Sequence, residues 1–419
     1  MLHGGMLEGA GPDAGVALHY GDPILEARAL ERGTALIDLS QLDVVAVTGP
    51  ERLTWLHLFL SQHVATLPPG RSTESLILDP SGHVEHAAAL IDDGATTWMI
   101  TEAGRGEPLR AFLESMKFAA RVETAVHEDL AVLGVLNSVS TPDALARLLD
   151  DDAVVVTWHD PWPETTGTSY GPPDDEHPAA EWDLALSVVP REGLAEIAER
   201  WTGIGGALAG MWAAEAARIA AWRPRFGREV DERTIPHELD WLRTAVHLEK
   251  GCYRGQETIA RVVNLGKPPR RLVFLHLDGS AEELPSTGDP VFAGGRQAGH
   301  VTSAARHHEL GPIALAVVRR SVDPAADLVV RVPVVVGQGG GVPTAGVAAG
   351  EQVGGVPAAG VAAGEQGCAE RRTVDVAASQ EEIVSAAGVS AATPTERPGQ
   401  GLRGSGARNP NPGMGFGKR

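Results

Sequence analysis

The stretch LEKGCYRGQETIARV, residues 248–262, decides how the rest of the chain is read. It sets one cysteine between two glycines, with a lysine two residues before it and a helix-like run after it. In an extended segment residues two apart face the same side, so Lys250 and Cys252 are expected to point together. An ammonium beside a thiol favours the thiolate. Gly255-Gln256-Glu257-Thr258 is expected to open a helix that buries Ile259, Val262 and Val263, and a helix N-terminus also favours an anion. Gly251 and Gly255 permit backbone angles or close approach that other residues resist. The stretch thus reads as a small electropositive niche around one thiol. A plainer reading stands beside it: free cysteine usually fills buried space, and Lys250 equally suits a solvated helix C-terminus.

The chain around this stretch is acidic and poor in cysteine. Its 419 residues leave room for two or three domains, and 43% hydrophobic residues supply a sizeable core. A net charge of −20 repels phosphate backbones, so general nucleic-acid binding is not expected. Two cysteines, Cys252 and Cys368, cannot build a disulfide framework. No apolar run approaches the ~20 residues of a membrane span. The start MLHGGMLEGAGPDAG lacks the pattern of a signal peptide, and Met1 and Met6 are both acceptable starts. The expectation is a soluble, cytoplasmic monomer.

Composition divides the chain. Residues 1–17 read as a flexible N-terminus, and residues 18–335 as globular. VVAV (Val44–Val47) reads as a buried strand, followed by a capping box at Thr48-Gly49-Pro50-Glu51 and a helix with Leu53, Leu56, Leu60 and Val64 on one face. SLILDPSGHVEHAAALID reads as a hairpin turning at Pro80-Ser81-Gly82. The first half is therefore α+β. Residues 160–178 read as a long exposed polar loop. Helical patterns dominate from Leu194, including PHELDWLRTAVHLEKG, with Leu239, Leu242, Val246 and His247 near one face. Short strands from Arg270 to about Val335 suggest a small antiparallel barrel. Beyond it GGVPTAGVAAGEQ recurs as GGVPAAGVAAGEQ, a low-complexity duplication that places residues 336–419 in a disordered tail.

KGCYRGQE (Lys250–Glu257) resembles the signature of the YgfZ-type folate-binding proteins, relatives of the glycine-cleavage T-protein (aminomethyltransferase). VVAVTGPERLTWLHLFLSQHVATLPPG, LILDPSGHVEHAAALI, FLESMKFAARVE and AARIAAWRPRFGREVDERTIPHELDW resemble further family segments in the same order, so the resemblance spans nearly all of Leu18–Val335. It implies a three-part cloverleaf of the aminomethyltransferase folate-binding type. Residues 18–266 would form two α+β subdomains and residues 267–335 the C-terminal barrel, around a central channel for tetrahydrofolate or a derivative. It further implies a role with iron–sulfur client proteins, and in some members tRNA modification. Cys252 and Lys250 become the functional pair, with Tyr253, Arg254, Gly255, Gln256 and Glu257 completing the motif.

Two departures bear on the chemistry. Aminomethyltransferases resemble Gly-Gly-x-x-Asp-Asp at the hairpin, where this chain has Ser81-Gly82-His83-Val84-Glu85-His86. They also resemble Arg-x-Glu-Ala-Gly, where this chain has Arg218-Ile219-Ala220-Ala221-Trp222. Glu85 remains a candidate to bond the pterin, and Arg218 either pairs with an acidic ligand group or is a structural ion-pair partner. His83 and His86 frame Glu85, but two histidines in a hairpin without a third ligand are more often solvated; His307-His308 carries less weight still, and no metal is expected. Three functions follow: a folate-binding accessory protein for iron–sulfur enzymes, a folate-dependent aminomethyl transferase, and a non-catalytic folate-sensing or docking module.

Overall fold

The computed structural model describes residues 4–7, 11–149, 153–335 and 371–394. The duplicated segment, Cys368 and the chain end lie outside the described residues. A short ribbon pairs β1 (Met6–Leu7) with β2 (Ala17–His19). α1 (Pro23–Glu31) starts at Asp22, whose carboxylate accepts the N–H groups of Ile24 and Leu25. β3 (Ala35–Asp38) and β4 (Asp43–Thr48) follow, then α2 (Arg52–Leu56). The expected hairpin is present as β5 (Ser72–Leu78) and β6 (Val84–Asp92), followed by β7 (Thr96–Thr101), α3 (Gly106–Ser115) and β8 (Glu123–Val126). These strands form an antiparallel sheet in the order β5-β6-β7-β4-β8. One face of it buries Trp55, Phe59, Leu109 and Leu113 against α2 and α3.

The second sheet has the order β10-β11-β9-β3-β12. Its further members are β9 (Leu130–Leu136), β10 (Val156–His159), β11 (Leu184–Pro190) and β12 (Ala207–Ala209), with α4 (Asp143–Leu149), α5 (Leu194–Gly203) and α6 (Met211–Ala220) between and after them. α7 (Phe226–Glu229) and α8 (Gln256–Asn264) lead into the barrel. The barrel closes antiparallel as β13-β16-β15-β14-β17-β18, from β13 (Arg270–Leu277), β14 (Pro290–Ala293), β15 (Arg296–His307), β16 (Gly311–Arg319), β17 (Leu328–Val335) and β18 (Arg371–Glu382). Val273, Leu275, Val301, Ala316, Val330 and Val376 fill it.

Several expectations are corrected. The barrel does not end near Val335. β18 pairs with both β17 and β13, so residues 371–382 supply the strand that closes it, and residues 383–394 pack beside it. The low-complexity duplication is thus an insertion between two paired strands. The helix expected to run to Val64 ends at Leu56, because the carbonyls of His57, Leu60 and Gln62 accept hydrogen bonds from the Lys250 ammonium. Leu60 instead bridges Ile77. Glu51 forms no cap; its carboxylate takes the backbone N–H and guanidinium of Arg121. The loop at 160–178 is not fully exposed, since Trp162, Tyr170 and His177 are buried in it. PHELDW makes one 3₁₀ turn (Pro236–Leu239) and no longer helix.

Asp240 stops that turn. Its backbone is left-handed (φ 56°), and its carboxylate accepts from the Tyr170 N–H at 2.6 Å and the Ser169 hydroxyl at 2.7 Å. Burial pushes this carboxyl up to about 7 from an ordinary 3.8. A folded-state value above the unfolded one means the native protein holds an extra proton between those values, so stability falls as pH rises from about 4 through 7. Carrying the charge above pH 7 costs on the order of 4 kcal/mol relative to a freely titrating carboxyl. Asp240→Asn keeps a residue that tolerates φ > 0. Urea unfolding of the variant should show a flatter pH profile between pH 4 and 8 and higher stability at pH 8 than wild type; a parallel profile would show that Asp240 is not the titrating group.

Candidate functional site

β6 and β7 from the first sheet, β9 and β11 from the second, and α6 with the segment behind it enclose a cavity of ≈ 180 Å³. Its walls are mostly apolar, with Ile37, Leu136, Trp158, Met211 and Trp241 among them. Four carboxylates and three guanidinium groups also line it: Glu74, Glu102, Asp160 and Glu215, with Arg218, Arg223 and Arg225. Each carboxylate is paired. Arg223 bridges Glu74 at 2.8 Å and Asp160 at 2.9 Å and lies over the Trp162 ring. Arg225 holds Glu102 through both oxygens, at 2.8 and 2.9 Å, and also reaches Glu215 and Asp13. Burial opposes ionisation of Glu215, but Arg218 and Arg225 outweigh it and hold the carboxyl well below its usual range. Glu74 goes the other way: burial, reinforced by nearby Asp160, raises it despite Arg223 and the Thr244 hydroxyl.

Arg218 spends all five N–H donors on protein acceptors: Glu215 twice, Glu229, the Arg223 carbonyl and the Ser303 hydroxyl. Of its two sequence readings, the ion-pair one is met. It lines the cavity with no donor left for a ligand.

A larger outer cavity of ≈ 1020 Å³ adjoins the first at Phe226, which lines both. Glu85 and Arg254 meet there at 2.6 Å, so the hairpin and the KGCYRGQE motif are brought together, and Arg254 lies over the Phe112 ring. Glu85 is therefore ion-paired with the motif itself. Arg105 donates to the Glu85 carbonyl and sits 4.9 Å from the Phe226 ring centre. Burial, with Arg105 and Arg254 adding to it, pushes His86 down to about 4, so its ring is neutral at physiological pH. His83 bonds Asp79 at 2.9 Å.

The rest of the motif is dispersed. Lys250 is 5% exposed, and its ammonium donates to the carbonyls of His57 (2.7 Å), Leu60 and Gln62 (3.1 Å), above the Tyr253 ring. Cys252 is exposed and lines neither cavity. The expected extended segment is absent, since residues 250–251 form a bend, and the lysine is buried where the cysteine is exposed. Tyr253 is buried, Gln256 donates to the Lys250 carbonyl, and Glu257 is exposed.

Gly255 is the N-cap of α8 with φ 83°, and a Cβ there would stand 2.7 Å from the Asp79 carbonyl. Gly82, at φ 86°, faces Thr258 just as closely from the hairpin side. This double contact seats the hairpin on the motif. Gly255→Ala adds left-handed strain of ~1–2 kcal/mol to that clash, so a loss of about 2 kcal/mol or more is expected in urea unfolding; an unchanged midpoint would show that the contact is dispensable.

Sequence reading missed Glu74, Glu102, Asp160, Arg223 and Arg225. The one local signal is Glu74 shortly before the apolar end of the strand STESLIL, since a charge carried into a buried strand needs a partner.

The glycine cleavage T-protein C-terminal barrel domain family matches residues 270–343. An aminomethyltransferase of Streptomyces coelicolor is 27% identical over 324 residues, covering 74% of this chain and 83% of the relative. One from a Thermotoga species is 24% identical over 330 residues, covering 73% and 84%. The crystal structure of glycine cleavage system aminomethyltransferase T from Bartonella henselae superposes with a TM-score of 0.61 at 20% identity, over 78% of this chain and 90% of that one. The fold is thus of the aminomethyltransferase type, α+β with a closed six-stranded barrel.

Proposed function

We propose that the central cavity binds the ring end of a reduced folate, and that this chain handles the one-carbon group such a cofactor carries. The observation that carries this reading is the cavity: apolar and aromatic walls with a few convergent charged groups, at the junction of the two sheets and α6. The aminomethyltransferase relatives support it, since their shared name describes one-carbon transfer. A pterin presents a flat amino-amide edge suited to a carboxylate. A carboxylate has about four acceptor sites. Glu102 uses two on Arg225, whereas Glu215 receives Arg218 and Arg225 and Asp160 receives Arg223, Trp182 and a backbone N–H. Glu102 is therefore the residue assigned to that edge.

Calorimetric titration of the full chain with tetrahydrofolate should show one site. Glu102→Gln should weaken it about 10–100-fold, the worth of a charge-assisted bond. Absence of saturable binding to wild type would sink the folate reading. Formation of methylene-tetrahydrofolate from an aminomethyl donor then tests transfer.

A second reading, the accessory role with iron–sulfur proteins, is favoured by a specific observation. The exposed Cys252 lies outside both cavities, and the Glu85 carboxylate is ion-paired with Arg254 of the same motif. Rescue of an iron–sulfur enzyme in a deletion strain by wild type but not Cys252→Ala would establish it; equal rescue by both would remove the thiol from the function.

A further inference from the structure

His307, the last residue of β15, and His308, the first of the turn to β16, lie away from both cavities. In sequence only Glu309 adjoins them, and a third donor from another element is not legible there. The fold supplies one: Glu31, the last residue of α1, reaches the same turn. Donor atoms of Glu31, His307 and His308 all lie within 4.8 Å of one another. The His308 side chain is 3% exposed, yet neither ring nitrogen has a hydrogen-bond partner. Its Nε2 stands 3.2 Å from a Glu31 oxygen without forming such a bond. A buried imidazole with two unsatisfied nitrogens calls for a partner that protein atoms do not provide.

We propose that Glu31, His307 and His308 form a binding site for a divalent transition-metal cation of the zinc class, which braces α1 against the barrel. Imidazole nitrogen and carboxylate oxygen are zinc donors, and tetrahedral bonds of about 2.0–2.2 Å place donors roughly 3.3–3.6 Å apart. The His308–Glu31 separation of 3.2 Å is just short of that spacing. His307 is the weaker donor. Its Nδ1 accepts the N–H groups of Glu309 and Leu310 at 3.2 Å, so ligation through Nε2 moves the ring proton to Nδ1 and gives up those two long bonds. Glu309, 4.0 Å from His308 Nε2, is the nearest fourth donor.

The test uses the full chain with Cys252 and Cys368 both changed to serine, so that thiols cannot bind the metal. After chelation, Zn²⁺ is titrated by calorimetry, and Co²⁺ is titrated with its visible spectrum as the coordination readout. One equivalent is expected to bind and to raise the melting temperature. Glu31→Gln should weaken binding more than ~100-fold, beyond the effect of losing an outer partner, and His307→Gln by about tenfold or more. Both residues are partly exposed, so the variants should fold. No zinc bound by the parent protein would overturn the site, as would binding unchanged in both variants; in either case bridging water is the better account of the buried His308.

Discussion

Arg218→Met is expected to destabilise the protein by about 3–5 kcal/mol, the cost of breaking a buried charge pair from one side. Arg218 is 6% exposed and joins three parts of the chain: α6 through Glu215, α7 through Glu229, and the barrel through Ser303. Methionine fills much of the same space but leaves Glu229, 3% exposed, without its guanidinium. Glu229 would keep the Arg225 N–H and the hydroxyls of Thr302 and Ser303, which satisfy its oxygens without offsetting its charge. Adding Glu229→Gln should recover part of the loss, so the double variant falls short of the sum of the singles by roughly 1–3 kcal/mol. Urea unfolding of the four proteins measures this. Additive losses would mean that Arg218 does not act through Glu229. If Arg218→Met instead folds as wild type but loses tetrahydrofolate binding, its donors serve the ligand and the structural account of it is wrong.

Legibility in the sequence followed the range of the forces involved. The hairpin at Pro80-Ser81-Gly82 was readable because alternation and turn chemistry act within a few residues. The α8 start at Gly255 was readable for the same reason. The helix beyond Leu56 failed because its end is set by Lys250, nearly two hundred residues away in sequence. PHELDW failed because Asp240 answers to Ser169 and Tyr170. β18 failed because a strand that closes a barrel follows a segment whose composition alone suggests a tail. At the site, the motif was legible as a string and Glu85 as a separate candidate, but their meeting through Arg254 was not. The carboxylate–guanidinium pairs of the central cavity were not, since each partner comes from a different element and neither carries a local signature.

Lys250→Met is expected to cost about 3 kcal/mol while Cys252→Ala stays within about 0.5 kcal/mol. The lysine ammonium closes off three carbonyls at the end of α2, and a thioether donates to none of them. Each buried carbonyl left unpaired costs ~1–3 kcal/mol, and water reaching the half-buried turn at His57 and His63 offsets part of the sum. Burial pushes the Lys250 ammonium down to about 8, so it is still mainly charged at pH 7, with its donors fixed on the protein. The same geometry separates the pair functionally. An ammonium committed to the carbonyls below has no hydrogen bond to an exposed thiol, so alkylation of Cys252 at pH 7 should proceed at the same rate in wild type and in folded Lys250→Met. A rate that falls severalfold in the variant would restore the lysine as the activator of the thiol. An unchanged rate together with the stability loss would leave Cys252 acting, if at all, through its exposure, and would make the lysine of KGCYRGQE a residue that shapes the turn on which the cysteine stands.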